Sequence, residues 1–480
     1  MRRYIMLAMC QILWNALASA QIGNPFIHDP STIMECEGKY YTFGTGGDGL
    51  MSADGWTWDT GAIRPGGGAA PDALKIGDRY LVAYSGTGGG MNGGHTGCVL
   101  TMWNKTLNSL SPDFKYTEPV EVANSDGYED CDAIDPGLLL DPTTGRLWMS
   151  YGTYFGFIRI VELDPNTGKR IEGNEPINIA IDCEATDLIY RNGWYYLLGT
   201  HGTCCDGVNS TYNIVVGRSR NITGPYLDNV GRDMLKGGGK MVLAAGYGQV
   251  GAGHFGRFIV DKEVEKLSCH FEADYSRGGY SVLAIRPLLW KNDWPIVGEP
   301  FQEGVYEIES ERRGYALELA VDFTRQETER RRWFKKVDNE ILKPIAFQTL
   351  QEVMKDWPKG NIPVRTGDYM FRPHQKWEIK AVPNAGGYLG GPYYKIVIAG
   401  TNRALTATAN KELTTIPEFT GVPEQLWRID QLTDGTFRIM PKAVPGTTEP
   451  MVIYSIGDST PTLAPFDANS DNSKWNFTKR

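Results

Sequence analysis

The sequence predicts an all-β chain in two domains, and three observations carry that expectation. Its 480 residues include 57 glycines, 24 tyrosines and 13 tryptophans, while patterns long enough for amphipathic helices are scarce, a bias towards short strands and turns. The chain is too long for one core at roughly 100 to 200 residues per domain. A strand-turn-strand unit recurs through the first three hundred residues, and a different repeat takes over beyond Trp294 and Pro295.

The opening MRRYIMLAMCQILWNALASAQ puts two arginines before an apolar run and ends in Ala18-Ser19-Ala20, the pattern of a secretory signal peptide over residues 1–20. An exported protein, periplasmic or extracellular, is expected. The bulky Met9 before Cys10 argues against a lipid anchor. No later stretch is apolar over the roughly 20 residues a membrane span needs. The net charge of -9 argues against a nucleic-acid partner, which normally calls for a basic face. The cysteines after the leader are too scattered for a disulfide framework and offer no zinc-type pair. A bridge between adjacent Cys204 and Cys205 stays open.

The repeat is a polar or acidic residue, a short strand, a turn, and an aromatic strand ending in Gly or Ser. It reads DPSTIMECEGKYYTFGTG from Asp29, PDALKIGDRYLVAYSG from Pro71, DPGLLLDPTTGRLWMSYGT from Asp135 and EATDLIYRNGWYYLLGTHG from Glu184, with a looser copy from Gly253. Such units are what propeller blades look like in sequence, so five copies predict a five-bladed β-propeller over residues 21–300.

Asp29-Pro30 alone is a turn opener, because proline pushes the preceding residue into an extended conformation. In a propeller, however, each innermost strand borders the central channel, and equivalent positions converge there. Asp29, Asp135 and Glu184 read as one slot in the first, third and fourth copies. Three carboxylates at one channel mouth repel each other and lose solvation, a cost that a structural turn has no reason to carry. Two such groups flanking a glycosidic bond suffice to hydrolyse it, and a third can raise the acid's pKa. Glu184, between Cys183 and Ala185, is the candidate for the acid that stays protonated.

HDPS at Asp29, AIDPGLL at Asp135, EATDLIYRNGWYYLL at Glu184, GAGHFGRF at His254 and LAIRPLLWKNDWPIVG together resemble glycoside hydrolase family 43, over residues 24 to 300. The resemblance implies a catalytic propeller with Asp29 as general base, Asp135 as pKa modulator and Glu184 as general acid. It also implies inversion at the anomeric carbon, for which the base and acid should stand roughly 6.5 to 9.5 Å apart. It further implies a hydrated cation, commonly calcium, near His254. Arg286 in the closing segment either steers the sugar or pairs with a carboxylate, and His28 either contacts substrate or packs. The glycine-rich stretch from Ser85 lacks the ending of a phosphate loop; it reads as a loop over the channel, with His95 a substrate contact.

From about residue 302 to 480, QKW at Gln375, QLW at Gln425 and SKW at Ser473 resemble a ricin-type β-trefoil, either carbohydrate-binding or a structural cap. The charged stretch from Arg325 to Trp357 is more than a plain trefoil needs. The expected activity is release of terminal α-L-arabinofuranosyl residues from a carbohydrate substrate. The alternatives are β-D-galactofuranosidase, endo-1,5-α-L-arabinanase or β-xylosidase, and, from another class, a non-catalytic propeller-trefoil lectin.

Overall fold

Runs rich in tyrosine, valine, leucine and tryptophan, separated by turns that need a left-handed residue such as Asn192-Gly193, pair into antiparallel sheets. The structure, a computed structural model, describes residues 21–87, 97–125, 132–312, 314–321, 349–368, 371–456 and 461–479. The leader and His95 lie outside these described residues.

Five successive sheets form the propeller, with inner strands Met34–Cys36, Ala69–Ile76, Gly137–Leu140, Glu184–Arg191 and Gln249–Asp261. The ring closes through its N-terminal segment. Ile22–Gly23 runs parallel to the outer strand Thr57–Ile63 of blade one, and residues 25–27 then bond to the third strand of blade five, Tyr280–Lys291. Each junction between neighbouring blades holds one hydrophobic cluster. At the closing junction Ile27, Leu50 and Trp58 of blade one meet Leu283 and Ile285 of blade five.

A shared backbone feature fixes how the blades correspond. Asp29, Ala70, Asp135, Ala185 and His254 all have left-handed φ values, from 45° to 58°. In blades two, four and five the strand pairing shifts register across this residue, as at a β-bulge. The equivalent of Asp29 in blade four is therefore Ala185, and Glu184 matches His28. The expectation that Glu184 shares the slot of Asp29 and Asp135 is corrected by one residue. Because the kink re-aims the chain, the residue before it also reaches the channel wall, as His28 does beside Asp29.

The second domain surrounds a separate core. Three 3-10 turns, Pro373–Gln375, Pro423–Gln425 and Asp471–Ser473, each lead into a strand that begins with a buried tryptophan. The indole N–H groups of Trp377, Trp427 and Trp475 donate to Leu317 O, Leu405 O and Ile453 O at 2.8, 3.1 and 2.8 Å. This threefold pattern is the β-trefoil, and Gln375, Gln425 and Ser473 are buried parts of its frame. Of the charged stretch, residues 349–357 are described and contain the short helix Leu350–Met354, capped by Thr349 and Glu352; residues 325–348 lie outside the described residues.

The trefoil docks where the propeller closes. Leu389 joins the cluster at the junction of blades one and five. Asp54, in the SADGWTW segment, accepts from Gly387 N at 3.0 Å, and Arg438 pairs with Asp261 at 2.8 Å. Replacing a fully buried tryptophan by alanine costs about 3–5 kcal/mol, so Trp427→Ala should lower the unfolding free energy of the trefoil by that amount. Denaturant titration followed by tryptophan fluorescence checks it.

Candidate active site

Asp29 and Asp135, which precede the inner strands of blades one and three, Glu184, which begins that of blade four, and His254, within that of blade five, come close enough to feel each other's charge. Asp29 is held from several sides. Its Oδ2 accepts from Thr45 Oγ1 at 2.5 Å and lies 2.8 Å from His28 Nδ1, and its Oδ1 lies 3.1 Å from His254 Nδ1. Its backbone N–H donates to His270 Nδ1 at 2.7 Å, so His270 presents an unprotonated Nδ1 there. Burial pushes the Asp29 carboxyl upwards, but His254 and His28 outweigh it and hold the group well below the usual range. Its side chain remains 13% exposed, an opening through which water reaches an ionised carboxylate.

Glu184 has the opposite surroundings. Its Oε2 accepts from Thr153 Oγ1 at 2.8 Å and its Oε1 from the Tyr212 hydroxyl. Burial, with the Asp29 charge added, raises its pKa despite those two donors. Asp135 is pushed well up by burial and then by the charges of Glu184 and Asp29; its Oδ2 accepts from Ala185 N at 3.3 Å, beside Glu184. The neighbouring backbone is pinned by Asp72 of blade two, which accepts from Thr32 N of blade one at 3.1 Å and Leu138 N of blade three at 2.8 Å. One carboxylate is thus kept ionised and two are biased towards carrying a proton, the division of labour that acid-base hydrolysis requires.

The other residues singled out from the sequence fall in different places. His28 joins the site, but both ring nitrogens face carboxylates, Nδ1 to Asp29 and Nε2 to Glu272 Oε1 at 3.0 Å. Its N–H groups are therefore committed to the protein, and its remaining surface is the ring. Arg286 is buried on the third strand of blade five, where it pairs with Glu299 at 2.5 Å; it is not brought to the carboxylates.

His254 is at the site but gathers no donor set. Among the described residues, the groups whose donor atoms converge within 4.8 Å are His28 with Asp29 and His270, and His28 with Glu272, Cys204 and Cys205. Calcium takes six to eight oxygens, and next to His254 the structure offers one carboxylate oxygen of Asp29. Calcium there fits only as an ion carried mainly by water.

Several contributors were not singled out from the sequence. Thr45, Thr153, Tyr212, His270 and Glu272 lie on second or third strands or the loops next to them, where the repeat pattern shows only blade scaffolding. A usable signal was SCHFEAD around His270 and Glu272, which places ionisable residues two apart in a strand buried throughout. Adjacent Cys204 and Cys205 are joined in a disulfide at the rim, and Cys205 N donates to Glu272 Oε1 at 3.2 Å.

Paired carboxylates of opposite ionisation bias, at the mouth of a propeller channel, define a glycoside hydrolase. A family model for glycosyl hydrolases family 43 matches residues 22–295, and one for the ricin-type β-trefoil lectin domain-like family matches residues 373–447. The chain belongs to glycoside hydrolase family 43. It is 33% identical over 248 residues to the extracellular exo-α-(1→5)-L-arabinofuranosidase ArbA of Cellvibrio japonicus, a match spanning 48% of this chain and 70% of that one. It is 32% identical over 297 residues to the extracellular endo-α-(1→5)-L-arabinanase 1 of Bacillus subtilis, spanning 57% of this chain and 88% of that one. A crystal structure of an exo-1,5-α-L-arabinanase from a bovine ruminal metagenomic library superposes with a TM-score of 0.53 at 32% identity, over 57% of this chain and 97% of that one.

The ion pair between His28 and Glu272 sets a pH window for stability. Burial raises the Glu272 carboxyl, but His270 and His28 outweigh it and lower it from 4.5 to about 2. Burial likewise opposes, and Asp29 and Glu272 reverse, the shift of His28, which rises from 6.5 to about 10. The Glu272 contribution is present above pH 4.5 and is lost as pH falls towards 2; that of His28 is present below pH 6.5 and is lost as pH rises towards 10. Melting temperature across pH should therefore show a contribution from this pair that is full between those inner values, and Glu272→Gln should flatten both limbs.

Proposed function

We propose that this enzyme hydrolyses α-L-arabinofuranosyl linkages with inversion, releasing residues from the ends of 1,5-linked arabinose-containing chains outside the cell. The opposed ionisation of Asp29 and Glu184 carries the catalytic part of this reading. The substrate rests on the relatives named above, and release from the chain end on the exo-acting pair among them. Both curated relatives are named extracellular, which accords with the leader pattern of residues 1–20.

Asp29 is assigned as general base. Oδ2 is taken up by Thr45 and His28, and Oδ1, which faces His254 at 3.1 Å, is assigned to accept the proton of a water attacking the anomeric carbon. Glu184 is assigned as general acid, donating to the departing glycosidic oxygen; Tyr212 and Thr153 fix its plane. Asp135 stands beside the acid, and its bond from Ala185 N ties the two blades together. Arabinofuranose is a flat five-membered ring, and Tyr154 and Phe155, which follow Thr153 and lie 4.6 Å apart, offer it an aromatic surface next to the acid.

Loss of a positioned acid or base costs about 10²- to 10⁴-fold in rate, so Asp29→Asn and Glu184→Gln should each reduce hydrolysis of linear arabinan by that factor while circular dichroism stays unchanged. A Glu184→Gln enzyme with normal activity would remove the acid assignment. Proton NMR of the first product should show the inverted anomer, and free arabinose should build up well before viscosity drops; an early viscosity drop would point to internal cleavage. Comparison of aryl α-L-arabinofuranoside with the β-D-galactofuranoside and β-D-xyloside tests the sugar, the first being expected to react fastest.

A hydrated cation beside His254 is proposed as a stabiliser of the channel. It would take the His254 imidazole and water as ligands and lend positive charge close to Asp29. Chelation should then lower the melting temperature and calcium should restore it; a chelator without effect on either melting or activity would rule the ion out.

A further inference from the structure

We propose that Glu272 is a positioning residue for hydrolysis, orienting the Asp29 carboxylate through the imidazole of His28. This rests on the reading of Asp29 as general base.

Glu272 is on the second strand of blade five, Val264–Asp274, and not on an inner strand. Its side chain is 3% exposed, a place where a carboxylate persists only with full hydrogen bonding. Oε1 supplies that bonding: it lies 3.0 Å from His28 Nε2, accepts from Cys205 N at 3.2 Å, and is 3.6 Å from His270 Nε2. The far side of His28 faces Asp29 Oδ2 at 2.8 Å. An imidazole with a carboxylate at each nitrogen donates from both and cannot rotate without breaking a charge-assisted bond. His270 packs over the same ring with centroids 4.5 Å apart and also receives the Asp29 N–H.

The chain leaves room for this arrangement on purpose of geometry alone. Gly251, at φ +73°, faces Glu272, and a Cβ there would stand 2.7 Å from both Cβ and Cγ of the glutamate. The result is a line of contacts from the Cys204–Cys205 turn through Glu272 and His28 to Asp29 Oδ2. Thr45 closes on the same oxygen. Oδ1 faces His254 at 3.1 Å, so the line fixes the plane in which the carboxylate presents its two oxygens.

The functional consequence concerns the transition state more than substrate affinity, because a misaimed base does not change how the sugar is held. A displacement of about 1 Å at a catalytic group can cost on the order of 100-fold. Steady-state kinetics on linear arabino-oligosaccharides should show Glu272→Ala lowering kcat about 10- to 100-fold with KM within about twofold. Glu272→Gln, whose amide oxygen still accepts from His28, should recover most of that loss. In a His28→Ala background Glu272→Ala should have little further effect, since the two act in one line. Unchanged kcat in Glu272→Ala, a change confined to KM, or full additivity with His28→Ala would each overturn the inference. If Asp29→Asn proved active, the base assignment itself would fall; an inactive Asp29→Asn beside a fully active Glu272→Ala would reject only the role of Glu272. Should Glu272→Ala not fold, Glu272→Leu, which fills the same volume but accepts no hydrogen bond, takes its place, and a kcat equal to that of Glu272→Gln overturns the inference.

Discussion

The constraint on which the site depends is the burial of carboxylates close enough to feel each other's charge, with two histidines in direct contact with only one of them. Asp29 has His28 and His254 beside it and is held ionised. Glu184 has neutral donors, and Asp135 a backbone N–H, so burial and mutual repulsion dominate both. Attraction to the histidines keeps Asp29 ionised, and its charge in turn raises Glu184 and Asp135, so the opposed ionisation comes from neighbours without any difference in the groups' intrinsic chemistry.

The propeller supplies the geometry at small local cost. A left-handed residue near the start of each inner strand turns the chain at the channel mouth, and the five positions differ mainly in what they carry: Asp29, Ala70, Asp135, Ala185 and His254. Two aspartates and a histidine of the proposed site stand at this position. Where alanine stands, a nearby carboxylate takes its place: Glu184, one residue before Ala185, is the proposed acid, and Asp72, two residues after Ala70, cross-links blades one and three. The trefoil meanwhile buries its repeated tryptophans and seats Leu389 at the closing junction, so its contact with the catalytic domain is built on packing at the seam.

Much of this was readable from the residues. The aromatic strand-turn-strand repeat gave the blades, the QxW spacing gave the trefoil, and carboxylates recurring at strand starts gave Asp29, Asp135 and Glu184. The one-residue offset of Glu184 was hidden because a bulge is a local shift of strand pairing at a left-handed residue, and no residue type in the repeat marks it; alanine at 70 and 185 is an unusual occupant of left-handed space. Glu272, Thr153 and Tyr212 were hidden for another reason. They reach the site from positions whose direction depends on how adjacent blades are rotated, which strand periodicity within one blade does not encode. Arg286 illustrates the converse, a charged residue beside a recognisable motif that packs against Glu299.

The segment that closes the ring runs directly into His28 and Asp29, and both side chains lean on blade five, against His254, His270 and Glu272. The earliest part of the domain to leave the ribosome is thus fixed by the latest. Until blade five has formed and taken up the strand from residues 25–27, Asp29 has none of its histidine partners outside its own neighbour. Assembly of the site and completion of the circle are one event, and a partly built propeller is a hydrolase whose Asp29 is not yet in place.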